Sequence, residues 1–291
     1  MVNRWEKQFG SVKAEQICIA NNQPPEVNLS LNPKFDRDDV VTKLKALGYQ
    51  MNLIESNPET WVVHNPEGLF EEVLFEKGAF IVQNAASSKL MEILARNEGA
   101  LNTVFDAFSA PGGKVIQLEW LVGEGINLIV AGEKSISRSK RLQENLRRVH
   151  SAAHILIGDA LHPSFNHAFD LVIADVPCSA TGNIKKYPEI KWTRSETDFI
   201  ENGTKQLQFL NQLKDFVLPG GRLAYMTCSM EDEENKKVIE RFVSGSKGQF
   251  IIEPYAIDDE TEGMITPEGY YFCQPDPYRT GVFSSQLRRV K

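Results

Sequence analysis

The sequence of 291 residues lacks a long hydrophobic run, and nowhere do apolar residues approach the ~20 in succession that a membrane span requires. The first residues, Met-Val-Asn-Arg-Trp-Glu-Lys, are not followed by the apolar core of a signal peptide. We therefore expect a cytoplasmic protein without membrane contact. A hydrophobic content of 42% and a charged content of 24% are typical of globular proteins, and this length allows an ample core in one or two domains.

Cysteine is scarce, and the four cysteines lie far apart at Cys18, Cys178, Cys228 and Cys273. No CxxC pair occurs, and the five histidines follow no metal-binding spacing, so we expect no metal site. A disulfide framework is not expected in a cytosolic chain of this length. Cys18 and Cys273 are most simply small buried hydrophobic residues.

Positive charge is also scarce, since 32 Lys and Arg against 39 Asp and Glu give a net charge of -7. This balance argues against nucleic-acid binding through a uniformly basic domain. It leaves room for a local basic face. We expect a monomer.

Residues 1–77 predict a small α+β domain. Residues 4–20 are predicted to form one helix, which the segment Asn21-Asn-Gln-Pro-Pro25 ends. Alternating apolar residues predict a strand over residues 26–32. A helix is expected to follow an N-cap at Asp36 and to stop at Gly48, ahead of a short strand at residues 61–64.

Residues 78–291 alternate between strand and helix patterns, which predicts an α/β domain with a mostly parallel, doubly wound sheet. The predicted strands are residues 102–105, 126–131, 153–157, 169–174 and 221–226. The predicted helices include residues 87–95, 137–149, 196–216 and 234–243, and the last residues are expected to add antiparallel strands.

Polar residues follow these strands at the edge where open α/β sheets bind ligands. The segment Pro111-Gly112-Gly113 would let a ligand approach backbone N–H groups at the start of a helix. Glu133 and Asp159 end the next two strands, where acids can bind ribose hydroxyls and an adenine amino group. Each acid alone would suit a solvated strand end, but their succession favours an adenosine-containing cofactor. The dinucleotide fingerprint GxGxxG and the phosphate-loop pattern GxxxxGK[ST] are both absent, so S-adenosylmethionine is the favoured cofactor. The candidate cofactor residues are Phe108, Ser109, Ala110, Pro111, Gly112, Gly113, Lys114, Glu133, Asp159 and Asp175.

Two of the predicted strands are followed by cysteines. The fourth strand leads into Asp175-Val-Pro-Cys178, and the fifth leads into Thr227-Cys228-Ser229. Both thiols are thus expected at the ligand-binding edge of the sheet. The sequence leaves open whether they meet at one site.

Three motifs in this chain resemble those of the RsmB/NSUN family of RNA cytosine-C5 methyltransferases, in order and in spacing. They are Asp106-Ala-Phe-Ser-Ala-Pro-Gly-Gly-Lys114, Asp175-Val-Pro-Cys-Ser-Ala-Thr-Gly182, and Thr227-Cys-Ser229 followed by Glu233-Glu-Asn235. The resemblance extends over residues 17–283. Its nearest branch is bacterial RsmB, which modifies small-subunit ribosomal RNA, and the NusB-like helical domain usual in that branch is expected to be missing here.

The resemblance implies a Rossmann-like methyltransferase domain behind a small RNA-binding domain, and it assigns four catalytic residues. Cys228 is the nucleophile that attacks cytosine C6, and Cys178 assists loss of the C5 proton and elimination of Cys228. Asp175 would hydrogen-bond the N3 and amino edge of the base. Lys114 would hold Asp175 and the base, and would lower the pKa of a nearby thiol.

A basic and aromatic stretch beyond Cys178 predicts an RNA-contacting loop, against the simpler interpretation of a solvated loop with core aromatics. Its candidate RNA-binding residues are Lys185, Lys186, Tyr187, Lys191, Trp192 and Arg194. Three positions depart from the family pattern, at Ser30, Asn84 and Thr280, and Glu133 replaces a more common Asp. These departures bear on the choice of RNA.

We therefore expect S-adenosylmethionine-dependent methylation of cytosine C5 in RNA, with small-subunit ribosomal RNA as the leading substrate. Transfer RNA is the alternative substrate for the same chemistry. A non-catalytic RNA-binding ribosome assembly factor is the alternative outside enzymology, and the intact residues Lys114, Asp175, Cys178 and Cys228 argue against it.

Overall fold

The computed structural model describes residues 1–54, 57–96, 101–162, 166–259 and 261–291, and these form a four-stranded and an eight-stranded β-sheet with flanking helices. The helices are α1 (Val2–Phe9), α2 (Ser11–Asn21), α3 (Arg37–Ala46), α4 (Val73–Glu76), α5 (Ala85–Arg96), α6 (Gly113–Val122), α7 (Ile136–Arg148), α8 (Ile190–Thr193), α9 (Glu196–Leu213) and α10 (Lys236–Gly245). The strands are β1 (Val27–Leu31), β2 (Met51–Ile54), β3 (Asn57–Val63), β4 (Phe80–Val82), β5 (Thr103–Asp106), β6 (Leu128–Glu133), β7 (His154–Ile157), β8 (Phe169–Asp175), β9 (Val217–Thr227), β10 (Phe250–Glu253), β11 (Tyr271–Cys273) and β12 (Val282–Arg289). Among the helices so described, none is both long enough and apolar enough to cross a bilayer.

The smaller sheet is antiparallel, in the order β2-β3-β1-β4, and α3 packs on it through Val40 and Leu44. α3 begins as predicted at Asp36, whose side chain accepts a hydrogen bond from the backbone N–H of Asp39. Strand β4 pairs with β1 although it lies just beyond residue 77. The division of the chain into residues 1–77 and 78–291 remains a proposal.

The first two helices correct the single helix predicted over residues 4–20. Gly10 lies between them with φ of 79°, a left-handed conformation that interrupts a helix and that glycine adopts readily. Both helices pack against the larger domain, where Trp5 shares an apolar cluster with Ile184 and Met230.

The larger sheet confirms the predicted α/β architecture. Strands β7, β6, β5, β8 and β9 are parallel in this order, and antiparallel β12 extends the sheet beside β9. Strands β10 and β11 both pair with β12. β9 begins at Val217 rather than at the predicted Gly221, so Pro219 lies within the strand, opposite a register shift in β8.

Successive residues of the central strand β8 serve the two faces of the larger sheet. Val172 packs in a cluster with Leu210 of α9, and Ile173 packs on the other face in a cluster with Leu90 of α5 and Leu142 of α7. This alternation is that of a strand with helices on both faces. The chain order reverses between β5 and β8, and ligands bind outside the carboxyl ends of the strands at such a point.

Close packing of α9 on the loop before α10 gives a test of the fold. A Cβ added at Gly203 would lie 2.2 Å from the backbone carbonyl oxygen of Glu233, which cannot move aside easily. We expect Gly203→Ala to lower the free energy of unfolding by about 1–3 kcal/mol in urea titrations, because overpacking outweighs the helix preference of alanine. Gly245→Ala in α10 is the control, since a Cβ there meets nothing within 4 Å, and equal stabilities of the two variants would contradict the packing.

Candidate active site

Three loops meet at the carboxyl edge of the larger sheet, following β5, β8 and β9. β8 lies between the other two strands, and it pairs Ile173 with Asp106 of β5 and Asp175 with Met226 of β9. The loops therefore leave the sheet side by side, although long stretches of chain separate them in sequence. They carry the three motifs on which the family resemblance depends.

The two thiols meet, which answers the question that the sequence left open. Cys178 Sγ and Cys228 Sγ lie 3.1 Å apart, and both cysteines are half-buried and free. This distance is well beyond the ~2.05 Å of a disulfide bond. The backbone N–H of Gly182 donates to the carbonyl oxygen of Cys228 at 2.9 Å and joins the two loops. In the part of the chain that the structure describes, no group of three or more His, Cys, Asp or Glu residues could hold a metal ion.

Cys178 is the thiol whose surroundings favour the protonated form. Its pKa is raised well above the ordinary value, first by its hydrogen bond with Cys228 and then by burial. The negative charges of Cys228 and Glu234 raise it further. A proton on Cys178 therefore lies next to any negative charge that forms on Cys228.

Lys114 and Asp175 form an ion pair close to the thiols. Lys114 stands in the first turn of α6, and its Nζ lies 2.6 Å from Asp175 Oδ2. Burial on its own would lower the pKa of Lys114, but the attraction of Asp175 outweighs it, with further contributions from Asp106 and Cys228, and the pKa is raised. A cation is thus fixed beside both Asp175 and the Cys228 thiol.

Asp106 and Glu234 are two buried acids of the motif loops to which the sequence pattern gives no role. Burial raises the pKa of Asp106 to about 7, against the lowering effect of a hydrogen bond from the backbone N–H of Phe108 and with the charge of Asp175 adding to the rise. Glu234 is fully buried beside Cys178. Their places in the first and third motifs were the available signal, but a motif does not reveal burial.

A cavity of about 490 Å³ opens where β5, β6 and β7 end. Three of the predicted cofactor residues line it, namely Phe108, Glu133 and Asp159, and Leu161 and Phe209 add apolar wall. An apolar cleft with two acids offers surfaces for an adenine ring and acceptors for hydroxyl and amino groups. These residues fit the adenosine part of S-adenosylmethionine.

The two acids of this cavity are held in place by their own neighbours. Glu133 is buried, and its Oε1 accepts a hydrogen bond from the backbone N–H of Ser135 at 2.8 Å. Asp159 Oδ2 lies 2.6 Å from Lys134 Nζ, and this hydrogen bond is the main cause that lowers the pKa of Asp159. Asp159 is therefore ionised at neutral pH.

The other predicted cofactor residues lie outside the walls of this cavity. The backbone N–H of buried Ser109 donates to the carbonyl oxygen of Gly132 at 2.8 Å, which anchors the loop. Ala110 and Pro111 line a neighbouring hollow beside Arg138 and Arg141. Lys114 and Asp175 stand with the thiols, and Gly112 and Gly113 open α6. A contact of these residues with the cofactor remains a prediction.

Lys185 is a correction to the predicted RNA-binding set. Its side chain is buried, and Nζ donates to the backbone carbonyl oxygens of Asp276 at 2.7 Å and Pro277 at 2.9 Å. The ammonium group is therefore engaged inside the protein, because backbone carbonyl groups of the C-terminal segment cover it. Lys185 fastens this segment to the loop and does not face a ligand.

Most of the other predicted RNA-binding residues are accessible. Lys186, Tyr187, Trp192 and Arg194 are exposed, and Trp192 is 78% exposed. Lys191 is half-buried, and its Nζ donates to Asn22 Oδ1 at 2.5 Å. The four exposed residues offer two cations and two aromatic rings beside the Cys178 loop.

The three departures from the family pattern are buried or half-buried. Ser30 is buried, with its Oγ 3.3 Å from Ser88 Oγ, so it faces the protein interior. Asn84 Oδ1 accepts a hydrogen bond from the backbone N–H of Ala86 at the start of α5. Thr280 is buried ahead of β12. An effect of these three residues on the choice of RNA remains a prediction.

Comparisons with known proteins agree with this geometry. The family model of the 16S rRNA methyltransferase RsmB/F matches residues 91–283, and that of the RsmF/B-like ferredoxin-like domain matches residues 1–68. The ribosomal RNA small subunit methyltransferase B of Cronobacter sakazakii is 33% identical over 244 residues, which cover 82% of this chain and 55% of the relative. The protein of the same name from Pasteurella multocida is 30% identical over 299 residues, which cover 100% of this chain and 64% of the relative. NSun6 from Pyrococcus horikoshii, solved with SFG, shares the fold, with a TM-score of 0.84 at 19% identity over 100% of this chain and 97% of that one.

The matches cover the motif loops and the smaller domain. This chain spans between half and two thirds of the length of the two bacterial relatives. The cofactor predicted from the strand ends, S-adenosylmethionine, is the one this class of methyltransferases uses. The chain belongs to the RsmB/F family of 16S rRNA methyltransferases.

Proposed function

We propose that this chain transfers a methyl group from S-adenosylmethionine to cytosine C5 in RNA, through a covalent bond between Cys228 and cytosine C6. The observation that carries the proposal is the contact of 3.1 Å between the Cys178 and Cys228 thiols beside the Lys114–Asp175 ion pair. Small-subunit ribosomal RNA is the proposed substrate, supported by the names of the bacterial relatives.

Cytosine C5 is a weak nucleophile, and the two thiols explain how it becomes a stronger one. The Cys228 thiolate adds to C6, and the electron pair of the C5–C6 double bond shifts into the ring as an enamine with charge toward N3. The Asp175 carboxylate accepts a hydrogen bond from the amino group beside N3, and the ammonium group of the adjacent Lys114 balances the charge that builds up toward N3. Covalent catalysis thus replaces one difficult step by easier ones.

S-adenosylmethionine, held in the cavity by Phe108, Glu133 and Asp159, supplies an electrophilic methyl group. Phe108 would pack against the adenosine, Glu133 would bind the ribose hydroxyls, and Asp159 would accept from the adenine amino group. The remaining steps depend on protein groups at the base.

Cys178 acts after C5 has gained its methyl group. Formation of the bond to C6 removes the charge from Cys228, and with it one of the causes that raise the pKa of Cys178. Cys178 can then lose its proton and take part in removing the C5 proton. The C5–H electron pair restores the double bond, the bond between carbon and sulfur breaks, and Cys228 leaves as a thiolate.

The target base must leave its helix before Cys228 can reach C6, because stacking hides that atom. The exposed residues Lys186, Tyr187, Trp192 and Arg194 lie next to the Cys178 loop, and they suit a flipped or single-stranded segment. Aromatic rings can stack on bases, while the cations contact phosphates. This local set is compatible with a net negative charge of the chain.

Replacement of the two cysteines should block the reaction at different steps. Cys228→Ala should abolish methyl transfer to RNA and form no adduct, because no other group attacks C6. Cys178→Ala should accumulate a protein–RNA adduct that survives a denaturing gel, because release is blocked. Cys18→Ala, outside the site, is the control and should turn over normally. Methyl transfer by Cys228→Ala, or clean turnover by Cys178→Ala, would overturn the assigned roles.

Replacement of the cavity acids should weaken cofactor binding. We expect Glu133→Ala and Asp159→Ala each to raise the Kd for S-adenosylmethionine by about 10-fold or more in calorimetry, since each removes a charged hydrogen-bond acceptor. Asp215→Ala, at an exposed acid outside the cavity, should bind normally. Unchanged affinity in folded Glu133→Ala and Asp159→Ala would exclude this cavity as the adenosine site.

The RNA substrate can be identified in cells. Bisulfite sequencing should lose a methylated cytosine in small-subunit ribosomal RNA when the gene is deleted, and the intact chain but not Cys228→Ala should restore it. A site lost from transfer RNA would contradict the ribosomal assignment and keep the chemistry. Loss of no site in any RNA would instead favour a non-catalytic assembly factor.

A further inference from the structure

The side chain of Glu234 lies between the two loops that carry the thiols. Its Oε1 accepts a hydrogen bond from the backbone N–H of Ser179 at 2.8 Å, and its Oε2 accepts one from Ser229 Oγ at 2.6 Å. Ser179 Oγ also donates to Oε2. Ser179 directly follows Cys178, and Ser229 directly follows Cys228. One buried carboxylate is therefore bonded to the neighbour of each thiol.

Residues of α9 and β9 complete the surroundings of this carboxylate. Gln206 Nε2 donates to Glu234 Oε1 at 3.1 Å and to the carbonyl oxygen of Pro177 at 3.0 Å. Gln206 is itself oriented by the Tyr225 hydroxyl, which donates to its Oε1 at 3.0 Å. The four donors around Glu234 fill the acceptor sites that an ionised carboxylate offers. Hydrogen bonding of this extent makes a buried charge tolerable.

The charged groups around the two sulfurs differ in sign. Cys178 faces Glu234 and the Tyr225 hydroxyl in addition to Cys228, and the negative charge of Glu234 raises the pKa of Cys178. A negative charge on the Cys228 sulfur attracts the ammonium groups of Lys114 and Lys186. The negative group thus belongs to the Cys178 side and the cations belong to the Cys228 side.

We propose that Glu234 is a positioning residue that holds the two thiols in contact and makes Cys178 the one that keeps its proton. The hydrogen bonds set the distance between the loops, and the charge sets which sulfur becomes the nucleophile. The inference rests on the proposed function, since the two thiols have different tasks only in the covalent reaction. It assigns the choice between two chemically identical groups to a fully buried residue that is bonded to the neighbour of each thiol.

The charge effect can be measured without RNA or cofactor. In a Cys228→Ser background, the rate of Cys178 alkylation by iodoacetamide is followed by peptide mass spectrometry as a function of pH. We expect Glu234→Gln to raise this rate about 10-fold at neutral pH, because removal of one nearby negative charge lowers the thiol pKa by about one unit. In the chain with both cysteines, the alkaline limb of the pH profile of methyl transfer should move to lower pH.

Glu233→Gln is the matched control, since it removes the same charge one residue earlier. Glu233 pairs with Arg4 and Lys237, so its replacement should leave Cys178 alkylation unchanged. An equal increase in the alkylation rate of both variants would show that the effect comes from general loosening of the structure. That result would overturn the proposal. An alkylation profile of Glu234→Gln that matches the parent would overturn it as well.

A second variant covers the case in which Glu234→Gln does not fold. Glu234→Asp keeps the charge on a shorter side chain, so Cys178 should remain slow to alkylate while methyl transfer falls. Fast alkylation of Glu234→Asp would overturn the proposal. Methyl transfer by Cys228→Ala would instead overturn the proposed function, and it would leave the alkylation result standing.

Discussion

The contact between the two thiols depends on backbone segments that approach more closely than side chains would allow. Gly182 donates its N–H to the carbonyl oxygen of Cys228, and Gly281 donates its N–H to the carbonyl oxygen of Gly182 at 2.8 Å. A Cβ on Gly182 would lie 2.6 Å from the Gly281 carbonyl oxygen and 2.9 Å from that of Cys228. Three segments from distant parts of the sequence are therefore locked together where the chemistry is proposed. The glycine in the second motif is explained by this approach and not by a turn.

The same close packing of the loops buries several charged groups, because tightly packed loops exclude water. A buried charge is costly unless a partner or hydrogen bonds compensate it. Lys114 and Asp175 compensate each other, and the carboxylate of Glu234 accepts hydrogen bonds from four donors. Asp106 is compensated less fully, by a hydrogen bond from the Phe108 N–H and by the charge of Lys114, and burial raises its pKa to about 7. The result is a site with fixed charges, in which the proposed movement of charge between sulfur and base would need little rearrangement.

The sequence could predict what depends on periodicity and order, and it could not predict what depends on distant neighbours. Alternating strands and helices determine which residues reach the carboxyl edge, so Asp175, Cys178 and Cys228 could be placed there. Lys185 looked like an RNA contact because its partners are carbonyl groups about ninety residues further on, which carry no sequence signal. The break at Gly10 has a related cause, since a glycine within a helical pattern does not show whether the helix continues or ends there.

The N-terminal helix α1 contacts the acidic segment that follows Cys228. The Trp5 indole N–H donates to Glu231 Oε1 at 3.1 Å, and Arg4 pairs with Glu231 at 3.0 Å and with Glu233 at 2.6 Å. Glu231 and Glu233 belong to the acidic segment that ends in Glu234, so α1 fixes the acidic stretch that follows Cys228. Part of the local negative charge is thereby neutralised by Arg4. The net charge of the chain is then a poor guide to the surface proposed to face RNA, and α1 packs with the larger domain although it precedes the small sheet in sequence.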